Sequence, residues 1–290
     1  MNHVGAIASP EKLSESQKAA LLTLLTDEDP AIYQRIRQQI LALGPSATEW
    51  LRSHALSRDP VLRRRTQELV QVFDQQAADN TFLAFCLKSG EEFDLEQGVW
   101  LLAQTQYPAI NVAGYQAMLD SYAADLRERL DPGAEAHEIL GDVNGYLFEE
   151  LGFIGNETNY YDPENSYLSR VLDRRTGNPI NLCLVYILLA RRLKLPISGI
   201  GLPGHFVCRY QSSSAEVYID AFNRGQFLTK ADCVQYLLHG SYSVSEDCLS
   251  PVTSRRFLLR ICGNLHQIYM HLEQPETAIR FQRYLVALGK

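Results

Sequence analysis

Three residues in this 290-residue chain have the types and the order needed for acyl chemistry: Cys183, His205 and Asp220. A thiolate can attack an acyl carbon, an imidazole can carry the proton, and a carboxylate can fix the tautomer and orientation of the imidazole. The same residues also have a plainer reading. A free cysteine in an apolar run commonly serves as a small hydrophobe, and a His–Asp pair can persist as a satisfied buried hydrogen bond. The six cysteines stand at 86, 183, 208, 233, 248 and 262, with no C-x-x-C pair and no metal-ligand spacing. Neither a cofactor nor a metal is therefore expected. Scattered cysteines in a long chain indicate a reduced, cytoplasmic protein rather than a disulfide scaffold.

The element carrying Cys183 must be a buried helix. Asn178 is a capping residue and Pro179 suits the first helical position, where a missing N–H costs nothing. From Ile180 to Ala190 every residue except Asn181 is apolar or tyrosine, so no face is available for water. The run ends at Arg191 and Arg192, too short to span a bilayer. With Asn178 as the cap, Cys183 is the fifth helical residue, beyond the first turn where a helix end stabilises a thiolate. With Asn181 as the cap, it would be the second. Pro179 favours the first arrangement, which predicts a buried Cys183 with an ordinary or raised pKa.

His205 and Asp220 sit on two alternating runs, His205 to Tyr210 and Ala215 to Asp220, separated by Gln211-Ser212-Ser213-Ser214. A four-residue hairpin loop places Arg209 opposite Glu216, Cys208 opposite Val217, Phe206 opposite Ile219 and His205 opposite Asp220. Strand alternation then collects His205, Val207, Arg209, Glu216, Tyr218 and Asp220 on one face. Cys208 points the other way, which removes it as a partner of His205.

These stretches resemble a known family. Gly177-Asn178-Pro179-Ile180-Asn181-Leu182, Leu193-Lys194-Leu195-Pro196, Gly201-Leu202-Pro203-Gly204-His205-Phe206 and Tyr218-Ile219-Asp220-Ala221-Phe222-Asn223 are similar to the bacterial SirB-type branch of the transglutaminase-like superfamily. Leu151-Gly152-Phe153 and the run from Tyr160 to Leu168 extend the likeness upstream, so that it covers roughly residue 110 to the C-terminus. The resemblance implies an α+β, predominantly helical fold with a papain-like core: a helix bearing the nucleophile, packed on a small antiparallel sheet bearing His and Asp. His205 and Asp220 fall where the superfamily has its His and Asp. Counted back from Pro196, the superfamily's nucleophile falls near Pro179, about one turn before Cys183.

The remaining elements surround that core. Residues 1–77 form a helical region in which Asp29-Pro30 and Asp59-Pro60 recur, each opening an amphipathic run. One run lines up Ile32, Ile36, Ile40 and Leu43, and the other Leu62, Leu69, Val70 and Phe73, a spacing that resembles HEAT-like repeats. Residues 78–240 hold the core and its leading helices, with Glu92 and Glu96 read as exposed helix charges. Residues 241–290 form a connector to Ser250 and a helix pair, Val252 to Leu272 and Pro275 to Leu288, that resembles a tetratricopeptide-type unit. No basic, apolar leader opens the sequence. A net charge of −7 argues against a nucleic-acid footprint. Two functions follow: a protein- or peptide-binding regulatory module, or a thiol-dependent amide hydrolase or acyl transferase using Cys183, His205 and Asp220. The helical excess and the displaced thiol favour binding.

Overall fold

Capping residues set most helix ends in the computed structural model, which describes residues 13–240 and 246–290. The start of the chain and part of the connector after Gly240 lie outside the described residues. The chain divides into two compact units, one ending at Asn80 and one running from Thr81 to Lys290. In the first, α1 (Glu15–Leu25) opens on a reciprocal capping box between Ser14 and Gln17. Helix α2 (Pro30–Ala42) starts at Asp29 with Pro30 in its first turn, and α3 (Ser46–His54) follows a short connection. Helix α4 (Pro60–Lys88) is opened by Asp59, whose carboxylate accepts from the Val61 and Leu62 amides. Leu25, Ile36, Ile40, Leu51, Leu69 and Phe73 close a core in this unit. Ile32, expected on the same face, stays largely outside it.

The second unit opens with α5 (Leu95–Gln106), α6 (Val112–Arg129) and α7 (Ala136–Asn144), the last running into a π-helical turn at Gly145–Glu150. Two-residue strands β1 (Ile154–Gly155) and β2 (Thr176–Gly177) pair in parallel, with α8 (Leu168–Arg174) between them in sequence. Next comes α9 (Pro179–Leu193), capped by Asn178, whose side chain accepts from the Asn181 amide. Every residue from Pro179 to Ala190 is buried, as an all-apolar helix requires. Lys194, left-handed at φ 60°, ends the helix.

A four-stranded antiparallel sheet follows in the order β3 (Ile197–Leu202), β4 (His205–Gln211), β5 (Glu216–Asp220) and β6 (Gln226–Leu228). Its register corrects the expected one. The Ser212 N–H donates to the Ala215 carbonyl, so the ladder extends further and the turn shortens to Ser213 and Ser214. Cys208 therefore faces Ile219, Arg209 faces Tyr218, and Gln211 faces Glu216. Each partner moves by two residues, and a shift of two leaves every side chain on its expected face. One face, with Phe206, Cys208, Val217 and Ile219, packs in the main core with α9. The other, with Val207 and Tyr218, packs on Cys233 and Leu237 of α10 (Lys230–His239).

The closing pair, α11 (Ser254–His271) and α12 (Pro275–Leu288), belongs to this same unit. Phe257, Leu258, Ile261 and Leu265 of α11 share one core with α9 and with Phe281 and Leu288 of α12. Buried Arg255 holds the pair in place. Its guanidinium donates to the carbonyls of Ala287 and Leu288 at the end of α12 and of Cys86 and Ser89 at the end of α4. The reading of Glu92 and Glu96 as exposed helix charges holds only in part: Glu92 is exposed but lies before α5, and Glu96 is not exposed. Glu96 forms a two-bond pair with Arg192, both side chains largely buried, and Glu92 accepts from the Ser254 amide and hydroxyl.

Candidate functional site

His205 begins β4 and Asp220 ends β5, one diagonal step apart on the same sheet face. The His205 Nε2–H donates to Asp220 Oδ2 across 2.7 Å. Asp220 also accepts from the Asn223 side chain at 2.9 Å and from the Phe222 and Asn223 amides. The turn that supplies those donors depends on Gly225. It sits at φ 75°, and a Cβ there would collide with the Asn144 side chain, whose amide donates to the Gly225 carbonyl. Burial works against the ionised form of Asp220, but the His205 contact and the Asn223 donors outweigh it and hold the carboxyl below its ordinary pKa. The imidazole is thereby fixed in orientation, with Phe222 and Tyr236 against its ring.

Cys183 is placed differently. It is the fifth residue of α9, has no exposed surface, and its Sγ–H donates to the Phe206 carbonyl at 3.5 Å. Cys208, on the helix-facing side of β4, in turn donates to the Cys183 carbonyl. Burial first, and then the Cys208 thiol, push the Cys183 thiol well above its ordinary pKa. The residue is packed as an apolar side chain between helix and sheet.

His205 lines two openings, and Cys183 lines neither. The larger is a cleft of about 1050 Å³ between the sheet, the Tyr160-Tyr161 loop and α11. Pro179 and Asn178 line it together with His205, so the N-terminus of α9 borders the same cleft as the imidazole with residues that carry no nucleophilic side chain. The smaller, about 400 Å³, brings His205 and Asp220 beside Tyr236, Asp232 and Cys233. Nothing in the sequence singles out Cys233, because α10 gives no sign of which strand face it covers. Its thiol is pushed up to about 11, first by burial and then by the charges of Asp232, Asp220 and Glu216. Neither sulfur is poised as a thiolate near neutral pH.

A buried amide network shapes the cleft's edge. Asn156 donates to Asn165, Asn165 donates to the Asn159 and Tyr160 carbonyls, and Asn178 donates to Ser166. These bonds tie the tyrosine loop to the cap of α9. Among the described residues no group of three His, Cys, Asp or Glu side chains is gathered as a metal ion would require. No described helix is long and apolar enough to cross a membrane.

Comparison with known proteins agrees with this architecture. A family model described as "Transglutaminase-like superfamily" matches residues 113–263. A UPF0162 protein of Xylella fastidiosa (strain 9a5c) is 35% identical over 196 residues, which cover 66% of this chain and 70% of that protein. A UPF0162 protein of Pseudomonas aeruginosa is 30% identical over 207 residues, covering 70% of this chain and 75% of its own length. F-box only protein 21 of Homo sapiens is 35% identical over 136 residues, 44% of this chain but 21% of that larger protein. No solved structure matches the chain.

Proposed function

We propose, for a chain that belongs to the transglutaminase-like superfamily and groups there with the UPF0162 proteins of the SirB-type family, a protein- or peptide-binding role without thiol catalysis. One observation carries this reading. The start of α9 reaches the cleft that His205 lines at Asn178 and Pro179, while Cys183 of that helix is buried, hydrogen-bonded to a carbonyl and held as a neutral thiol. A nucleophile needs both access and a thiolate fraction, and Cys183 lacks both. On this reading the His205–Asp220 bond is a structural tie that closes the end of β4 onto the turn after β5. The HEAT-like and tetratricopeptide-like readings of the flanking helices belong to the same proposal, as surfaces for partner contact.

A second reading is favoured by the His205–Asp220 bond itself, which has the orientation that an acid–base dyad requires. It makes the protein a thiol-dependent amide hydrolase or acyl transferase. The two are separated by incubating the protein with a glutamine-bearing peptide and a fluorescent primary amine. The binding reading expects no amine incorporation and no ammonia release from the native chain, and the same from Cys183→Ser. Incorporation that disappears in both Cys183→Ser and His205→Ala would establish the enzyme instead.

A further inference from the structure

The wall of the large cleft contributed by α11 has a chemistry of its own. Arg256 and Arg260 lie four residues apart and so neighbour each other on one helix face, and Asn264 and Gln267 continue the same stripe. Arg260 is steadied by donating to the Leu202 carbonyl at 3.2 Å. Among the described residues no Asp or Glu lines this cleft, and neither guanidinium has a carboxylate within ion-pair distance. Other arginines of the same unit are neutralised: Arg170 by Glu164, Arg174 by Asp162, Arg192 by Glu96. In a chain of net charge −7, a cleft lined by unneutralised guanidinium groups runs against the general surface. Ile180, Leu259 and Leu285 line the same cleft and give it apolar walls.

We propose that this cleft binds an extended acidic peptide segment of a partner protein, a proposal that rests on the binding reading above. Carboxylates of the segment meet Arg256 and Arg260, and its intervening apolar side chains meet the apolar walls. Guanidinium and carboxylate match in shape as well as charge, which makes arginine the natural reader of such a ligand. A volume of about 1050 Å³ is at the upper end of small-ligand pockets and accommodates several residues of chain. Two guanidiniums are too few for a nucleic-acid track, which needs a longer basic stripe.

The test is fluorescence anisotropy on the full chain with three short labelled peptides: alternating glutamate and leucine, alternating glutamine and leucine, and alternating lysine and leucine. The glutamate peptide should bind, weaken with added salt, and bind about tenfold more tightly than the glutamine peptide. Arg256→Gln should lower its affinity about tenfold. Gln267→Glu, which adds a negative charge to the same helix face, should lower it as well, with circular dichroism unchanged in both variants. Equal binding of the glutamate and glutamine peptides would overturn the acidic preference while leaving a binding role intact. Undiminished affinity in both variants, preference for the lysine peptide, or displacement by a single-stranded oligonucleotide at lower concentration would also overturn it. Cleavage or acylation of a peptide that depends on Cys183, read by mass spectrometry, would instead overturn the non-catalytic reading beneath it.

Discussion

Asp220 shows how a site can be built from local chain geometry. Its carboxylate receives four donors, one from His205 and three from Phe222 and Asn223 in the turn after the strand, so desolvation is outweighed and the group stays ionised. The direction of the shift has a consequence for stability. A carboxyl whose folded pKa lies below its unfolded value contributes stability that is present above about 4 and is lost as pH falls through the folded value. Asp220→Asn should therefore be less stable than the native chain at neutral pH. In urea titrations across pH, the gap between the two should hold down to about 4 and shrink below it. A gap that does not change with acid would show that Asp220 is not the ionised anchor of this turn.

At the scale of elements, the principal joints are helix ends. Arg255 satisfies carbonyls that the last turns of α4 and α12 leave open, from a position almost without solvent. Removing the guanidinium leaves several buried acceptors without donors. Arg255→Met should cost about 3 kcal/mol or more of unfolding free energy, measured by denaturant titration, with the helix pair α11–α12 the first part to gain hydrogen exchange. A loss under about 1 kcal/mol would mean that water replaces the arginine. Much at this scale was legible in the sequence. Asn178 and Pro179 announced the start of α9, and the apolar run through Ala190 announced its burial. The hairpin faces were legible too, because parity survives a two-residue error, whereas the direct partners were not. Ser212 and Ala215 continue the ladder although nothing in a serine-rich loop marks where pairing stops. Strand β6 was hidden for a related reason: three residues after a glycine turn carry too little periodicity to be read.

For the molecule as a whole, the question is which side of the sheet each chemical group occupies. The helix-facing side encloses Cys183 and Cys208, while the opposite side and the strand ends present His205 and Asp220 to the clefts. The candidate residues were legible in the sequence as types. Their separation needed the third dimension, because it depends on α9 packing its fifth residue onto the Phe206 carbonyl. The arginine stripe of α11 could have been found from its four-residue spacing, but only the fold shows that this face borders the cleft beside Pro179. The larger cleft thus pairs His205, whose ring is bonded to Asp220, with the start of a helix that offers no thiol there.

The most direct measurement of this account is the alkylation rate of Cys183 by iodoacetamide as a function of pH, followed by mass spectrometry of the intact fold. A neutral, enclosed thiol predicts negligible labelling near pH 6 and no dependence on His205, so that His205→Ala leaves the profile unchanged. Ready labelling of Cys183 near pH 6 that disappears in His205→Ala would contradict the account and make the protein a thiol enzyme.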